Sequence, residues 1–168
     1  MASRFHDSKV VRREKIMEWM LLPLKRYADF SGRSRRLEFW MFGLLNLIVY
    51  AIILGIVFAT SPALSELSNV DPTDPFAIYG PLLGGVGLLL VVWWLAVLIP
   101  GIAVTVRRLH DRNLSGWWYL GFIVLSFIPI VGIIASLAFL VFMLLDGTPG
   151  PNRFGPDPKG RGETEVFA

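Results

Sequence analysis

Apolar residues come in three long blocks, 39–60, 82–106 and 117–145, separated by polar stretches. A helix needs about 20 residues to cross a hydrocarbon core of about 30 Å, so the first two blocks predict membrane-spanning helices. None of the three blocks contains Asp, Glu, Lys, Arg or His. In the first, Asn46 is the strong interior polar group, placed to hydrogen-bond a neighbouring helix for about 1 kcal/mol. In the second, Gly84, Gly85 and Gly87 permit close packing, and Pro100-Gly101 predicts a kink in the inner half. Trp93 and Trp94 lie mid-span, away from the interfacial belt where tryptophan concentrates. At least one of them is expected to face protein.

The third block is too long for a simple span. As one helix, residues 117–145 measure about 44 Å at 1.5 Å per residue. Phe127-Ile128-Pro129-Ile130-Val131-Gly132 interrupts it near the middle. Two readings stand: one tilted, kinked span, or two short helices in a hairpin turning at residues 129–132. The excess length and the central Pro and Gly favour the hairpin. Its arms are short enough to be re-entrant, with a turn shielded by protein, because free backbone groups in lipid are costly. The predicted fold class is an all-α integral membrane protein with two transmembrane helices and this broken third block.

The polar stretches give the threading. Residues 1–16 read as a polar extension of mixed charge. Part of it is expected to be non-native, since Met17 offers a start and Arg13-Glu14-Lys15 can be encoded by codons resembling a ribosome-binding site. Residues 17–27 suit a short interfacial helix that Pro23 bends or ends. Ser31-Gly32 breaks the chain, and Ser34 is the expected N-cap of the next helix. That helix carries Arg35 and Arg36 in its first turn, where cations oppose the helix dipole. With Arg33 they form a positive-inside signal and a candidate anion site for a lipid phosphate. Residues 61–80 hold Glu66, Asp71 and Asp74 but no Lys or Arg, which places them outside and the N-terminus in the cytoplasm.

The stretch from Arg107 to Trp118 reads as a short cytoplasmic loop. Asp111 is spaced to pair with Arg107 at i,i+4 and Arg108 at i,i+3. Ser115-Gly116 reads as a turn or cap. Residues 146–158, with four prolines and three glycines, exclude a helix. Residues 159–168 read as a disordered tail, leaving 17–158 as the membrane domain. A hairpin in the third block returns the C-terminal segment to the cytoplasmic side. There Glu38, Arg107, Arg108, His110, Asp111, Asn152 and Arg153 are expected to cluster.

Composition agrees with a membrane location. The chain is 54% hydrophobic and 17% charged, with a mean hydropathy of +0.58; soluble domains carry about 25% charged residues. The net charge of +3 follows from positive-inside loops and is not read as a nucleic-acid signal. The absence of cysteine excludes disulfides, thiolate metal sites and a cysteine nucleophile. With His6 and His110 the only histidines, no metal site or other cofactor is expected.

Three motifs agree in order and in their placement around the apolar blocks. They are Phe30-Ser31-Gly32-Arg33-Ser34-Arg35-Arg36-Leu37-Glu38-Phe39-Trp40, then Arg107-Arg108-Leu109-His110-Asp111 with Ser115-Gly116-Trp117-Trp118, then Gly147-Thr148-Pro149-Gly150-Pro151-Asn152-Arg153-Phe154-Gly155-Pro156-Asp157-Pro158. Together they resemble the bacterial inner-membrane family called domain of unknown function 805, the YhaH-type proteins, over residues 17–158. The resemblance implies an inner-membrane location and carries over no catalytic residue.

No enzyme is expected. His110 and Asp111 are neighbours that point about 100° apart on a helix and form no relay. A transporter usually shows ionisable groups within its spans. The expected function is a scaffold, assembly or lipid-contacting module acting through its cytoplasmic motifs. The alternative is a subunit of an oligomeric channel or transporter. The expected partners are membrane lipids and a protein partner or second copy, with no nucleic acid.

Overall fold

The computed structural model describes residues 16–60, 71, 74 and 87–161. The expectations for the N-terminal extension, for most of the acidic loop and for Gly84 and Gly85 fall outside these residues. Five helices are described: α1 (residues 16–25), α2 (Arg36–Thr60), α3 (Gly87–Asp111), α4 (Trp117–Ser126) and α5 (Val131–Leu144). No strand occurs among the described residues, apart from an isolated bridge between Asn152 and Gly155. Among the described residues two helices are long and apolar enough to cross a membrane, with mean hydropathies of 2.3 in α2 and 2.5 in α3.

α3 corrects the sequence expectation at its C-terminal end. Arg107, Arg108, His110 and Asp111 are its last turns, not a loop. The helix ends at Asp111, and the chain turns away at Asn113, whose φ is 58°. The Leu114 amide bonds the Leu109 carbonyl at 3.0 Å and the Asn113 amide bonds that of His110 at 2.9 Å. These two bonds, with the left-handed residue between them, are a Schellman cap. Pro100 lies fully buried inside α3, and the helix continues through it.

The third apolar block is a hairpin. α4 and α5, of 10 and 14 residues, measure about 15 and 21 Å and so fall short of a 30 Å core. Phe122 packs against Phe139 and Phe142 at ring distances of 5.4 and 6.1 Å. The turn falls at residues 127–130, slightly earlier than expected. Ile130 has φ 66° and ψ −55°, and the Val131 amide donates to the Pro129 carbonyl at 2.7 Å. This is a γ-turn of the rare, strained hand. The Phe127, Ile128 and Gly132 amides bond carbonyls of Val124, Leu125 and Ile128. The turn thus satisfies these amides itself, and Phe127 and Ile130 stand 81% and 72% exposed instead of shielded by protein. A Cβ at Gly132 would lie 2.7 Å from the Ser126 carbonyl oxygen, so the two arms meet only because this residue is glycine.

The chain divides into two compact units, one from residues up to Phe42 and from Pro100 onward, the other from Gly43 to Ile99. In the second, the Trp93 indole N–H donates to Asn46 Oδ1 at 3.1 Å, while Trp94 is exposed. That meets the expectation for both Asn46 and the tryptophan pair. The first unit has an unusual interior. Its largest fully buried side chains are Arg107 and Arg108, whereas most of α4 and α5 is exposed apolar surface.

Candidate functional site

The charged interior is built by the three polar motifs. The turn at residues 29–32 comes first. Asp29 accepts from the Ser31 amide at 3.0 Å, an Asx turn, and Gly32 takes φ 76°. Hydrogen bonds from Ser31 and then Arg26 hold the Asp29 carboxyl far below the usual carboxylate range. The turn aims Arg33 inward. Its Nε donates to Asp111 Oδ1 at 3.0 Å, Nη2 to the Thr148 carbonyl at 2.6 Å and Nη1 to the Gly150 carbonyl at 2.7 Å. One side chain therefore ties the start of α2, the end of α3 and the C-terminal segment together.

Arg107 and Arg108 diverge. Arg107 Nη2 donates to Glu38 Oε1 at 2.8 Å, and its Nη1 donates to the Asp29 carbonyl. Arg108 donates to Asp111 and to the carbonyl of Leu145, where the hairpin ends. The i,i+3 pair expected from the sequence forms; the i,i+4 pair does not. Asp111 is occupied by Arg33 and Arg108, and Glu38 takes Arg107 instead. The cluster holds three buried guanidiniums (Arg33, Arg107, Arg108) and three buried carboxylates (Glu38, Asp111, Asp157). Its formal charge is zero, the condition under which ionised groups tolerate burial. The Nε–H groups of Arg107 and Arg108 are left without a partner among the described residues.

The C-terminal segment closes over this core. Asn152 Nδ2 donates to the His110 carbonyl at 2.9 Å, and Arg153 to that of Asn113 at 3.1 Å. Phe154 stacks on the His110 ring at 3.8 Å, with planes 4° apart. His110 Nδ1 sits 3.1 Å from the Gly32 carbonyl, which can only accept, so the proton is on Nδ1 and the Nε2 lone pair is free of that bond. His110 also lines an apolar cavity of about 550 Å³ with Phe30, Ile102, Val106, Trp117 and Leu120. The seven expected cluster residues, Glu38, Arg107, Arg108, His110, Asp111, Asn152 and Arg153, thus lie in one connected assembly.

Two sequence expectations are overturned here. Ser34 does not cap α2. Its hydroxyl is buried with no partner among the described residues, while its amide bonds the Arg107 carbonyl at 3.1 Å. Arg33 cannot meet a lipid, because its side chain is 1% exposed and consumed by internal partners. Arg35 and Arg36 remain at the edge. Arg35 donates to the Pro158 carbonyl and lies 5.5 Å over the Trp19 ring, and Arg36 pairs with Asp146 at 3.4 Å. The tail expectation is corrected as far as Arg161, which pairs with Asp157 at 2.8 Å and Asp146 at 3.2 Å.

Sequence reasoning missed Asp29, Asp146, Asp157, Thr148 and Phe154 as parts of the site. A signal existed for three turns. Asp29-x-Ser31, Asn152-x-Phe154 and Asp157-x-Lys159 each place a side-chain oxygen on the amide two residues on. Burial acts to raise the Asp157 carboxyl, but hydrogen bonds from Arg161 and the Lys159 amide, with the charges of Arg161 and Arg33, outweigh it and hold the group at about 2. The Lys159 hydrogen bond, helped by Arg36 and Arg161, lowers Asp146 as well.

The sequence profile of the family described as "Protein of unknown function (DUF805)" matches residues 27–156. Over 143 residues the chain is 40% identical to the inner membrane protein YhaH of Escherichia coli K12, covering 85% of this chain and 98% of that protein. It is 40% identical to the inner membrane protein YhaI of the same strain over 143 residues, covering 85% of this chain and 97% of the relative. The uncharacterized protein YiiR of that strain is 28% identical over 160 residues, covering 84% of this chain and 89% of the relative. No solved structure matches. The profile match takes in the first two motifs and the third as far as Pro156, so of the buried charged cluster all but Asp157 lies inside it.

Proposed function

This chain belongs to the DUF805 family of bacterial inner-membrane proteins, and on that premise we propose that it is a non-catalytic assembly scaffold. Its two long helices anchor it across the bilayer, with the N-terminus and the three-motif cluster on the cytoplasmic side. The hairpin of α4 and α5 enters one leaflet and returns the chain to that side. The cluster works as a rigid platform that presents its outer surface to another component of the membrane.

The observation that carries this reading is the neutral buried core of Arg33, Arg107 and Arg108 with Glu38, Asp111 and Asp157. A catalytic or transport site built on these charged groups would have to present them to substrate. Here they are spent on backbone carbonyls and on each other, which fixes the relative positions of three distant segments. Buried ion pairs of this kind are weak stabilisers, and a role in specifying one arrangement is better attested. The bias of Lys and Arg supports the orientation, since the loop 61–80 has none.

The chain lacks cysteine, so single-cysteine labelling starts from a clean background. Ser68→Cys should react with an impermeant reagent added to whole spheroplasts, and Ser115→Cys only after permeabilisation. In-membrane cross-linking from exposed cluster-edge positions should yield one stoichiometric protein adduct. Solute flux through vesicles holding the purified protein alone would support a channel instead and overturn the scaffold.

A further inference from the structure

A groove of about 460 Å³ runs beside the entry of α2, lined by Arg35, Arg36, Leu37, Trp40, Leu144 and Lys159. Its two halves differ in chemistry. Arg35, Arg36 and Lys159 supply cations at one end, and Leu37, Trp40 and Leu144 an apolar wall at the other. The groove's cations are under-neutralised: Arg36 and Lys159 share the carboxylate of Asp146, which also takes Arg161, itself paired with Asp157. Arg35 has no carboxylate partner among the described residues, only the Pro158 carbonyl and the Trp19 ring. Arg36 keeps 44% of its side chain exposed. The first amides of α2 add a positive dipole end beside the groove.

We propose that this groove binds one anionic phospholipid, with the phosphate among Arg35, Arg36 and Lys159 and an acyl chain along Leu37, Trp40 and Leu144. A long side chain delivering a cation at the membrane surface attracts anionic headgroups strongly. A soluble phosphate would meet the cations but leave the apolar wall uncovered. A lipid meets both, and the wall is made by residues of the apolar helices α2 and α5. The inference needs only that α2 enters the membrane near Arg36. It stands whether or not the platform has a protein partner.

Native mass spectrometry of the full chain in detergent, with phosphatidylglycerol or phosphatidylcholine added, tests this directly. The wild type should retain one phosphatidylglycerol and prefer it over phosphatidylcholine by about tenfold. The double variant Arg36→Gln/Lys159→Gln should lose that preference. The charge-keeping Arg36→Lys/Lys159→Arg should keep it, and so should Lys25→Gln, which is not among the lining residues. Equal retention of the two lipids by the wild type would overturn the proposal without recourse to any variant. So would displacement of the lipid by inorganic phosphate, which would make the groove a soluble-anion site.

Discussion

Arg107 Nη2 donates to Glu38 Oε1 at 2.8 Å, and both side chains are almost fully buried. The pair joins the first turn of α2 to the last turns of α3, across 69 positions of sequence. Removing one partner leaves the other charged and buried, at a cost of about 3–5 kcal/mol. Glu38→Ala and Arg107→Ala should each lower the melting temperature sharply in detergent. The double variant Glu38→Leu/Arg107→Met should recover most of the loss, because apolar pairs of similar volume replace buried ion pairs at little cost. A double variant as unstable as the worse single would show that Arg107 matters mainly through its bond to the Asp29 carbonyl.

Gly147 faces Asp111 with no room to spare. A Cβ there would sit 2.0 Å from Asp111 Oδ2. Asp111 accepts from Arg33 and Arg108, so it cannot retreat without breaking both pairs. Gly147→Ala should destabilise the first unit by about 1–3 kcal/mol or more, the range for overpacking. Gly150→Ala makes a useful contrast. It meets no atom, and its cost comes from a φ of 72°, about 1 kcal/mol. The two variants compared by thermal unfolding should rank in that order.

The spans and the hairpin were legible because long uncharged blocks and a central Pro-Ile-Val-Gly are local signals. The end of α3 was not. Arg107 to Asp111 read as a loop because four of its five residues are polar, and the partners that let a helix bury them lie in other motifs. Asp111 and Arg107 had the right helical spacing to pair, yet local spacing says nothing of competitors. Arg33 and Glu38, more than 60 positions away, decide the pairing. The same limit misled the reading of Arg33 as a lipid contact and of Lys159 to Arg161 as a free tail. Their carbonyl and carboxylate partners are visible only once the C-terminal segment has folded back.

That segment should be acid-labile. Asp157 and Asp146 both have depressed folded-state values, with Asp157 at about 2. A carboxylate depressed on folding adds stability that is present above its unfolded value, about 3.9, and is lost as pH falls through the folded value. Protease cleavage within residues 146–161 should therefore rise between pH about 4 and about 2. Asp157→Asn should be cleaved more readily near neutral pH and respond less to acid. Unchanged cleavage across this range would mean that these carboxylates do not hold the segment closed.

Asn46 and Trp93 offer a separate test in the second unit. Their bond of 3.1 Å links α2 and α3. Trp93→Phe keeps an aromatic ring but removes the donor and part of the indole's volume, and should cost at least the about 0.6–1 kcal/mol of a polar contact between membrane helices. Adding Asn46→Leu to it should cost little more than Asn46→Leu alone. Additive losses in steric-trap or thermal unfolding would show that the two residues act independently.

The hairpin turn can be forced open at one residue. Gly132 sits 2.7 Å, measured from its would-be Cβ, from the backbone carbonyl of Ser126, and backbone cannot swing aside as a side-chain tip can. Gly132→Val should therefore push α5 away from the end of α4. A straightened block of about 44 Å is long enough to cross the bilayer when tilted. A C-terminal reporter active only in the periplasm should stay silent on the wild type and gain activity on Gly132→Val. The same variant should lose the Arg33 contacts to Thr148 and Gly150, and so melt lower. A wild-type fusion that is already active would place residues 146–161 across the membrane from Arg33, which the folded cluster does not allow.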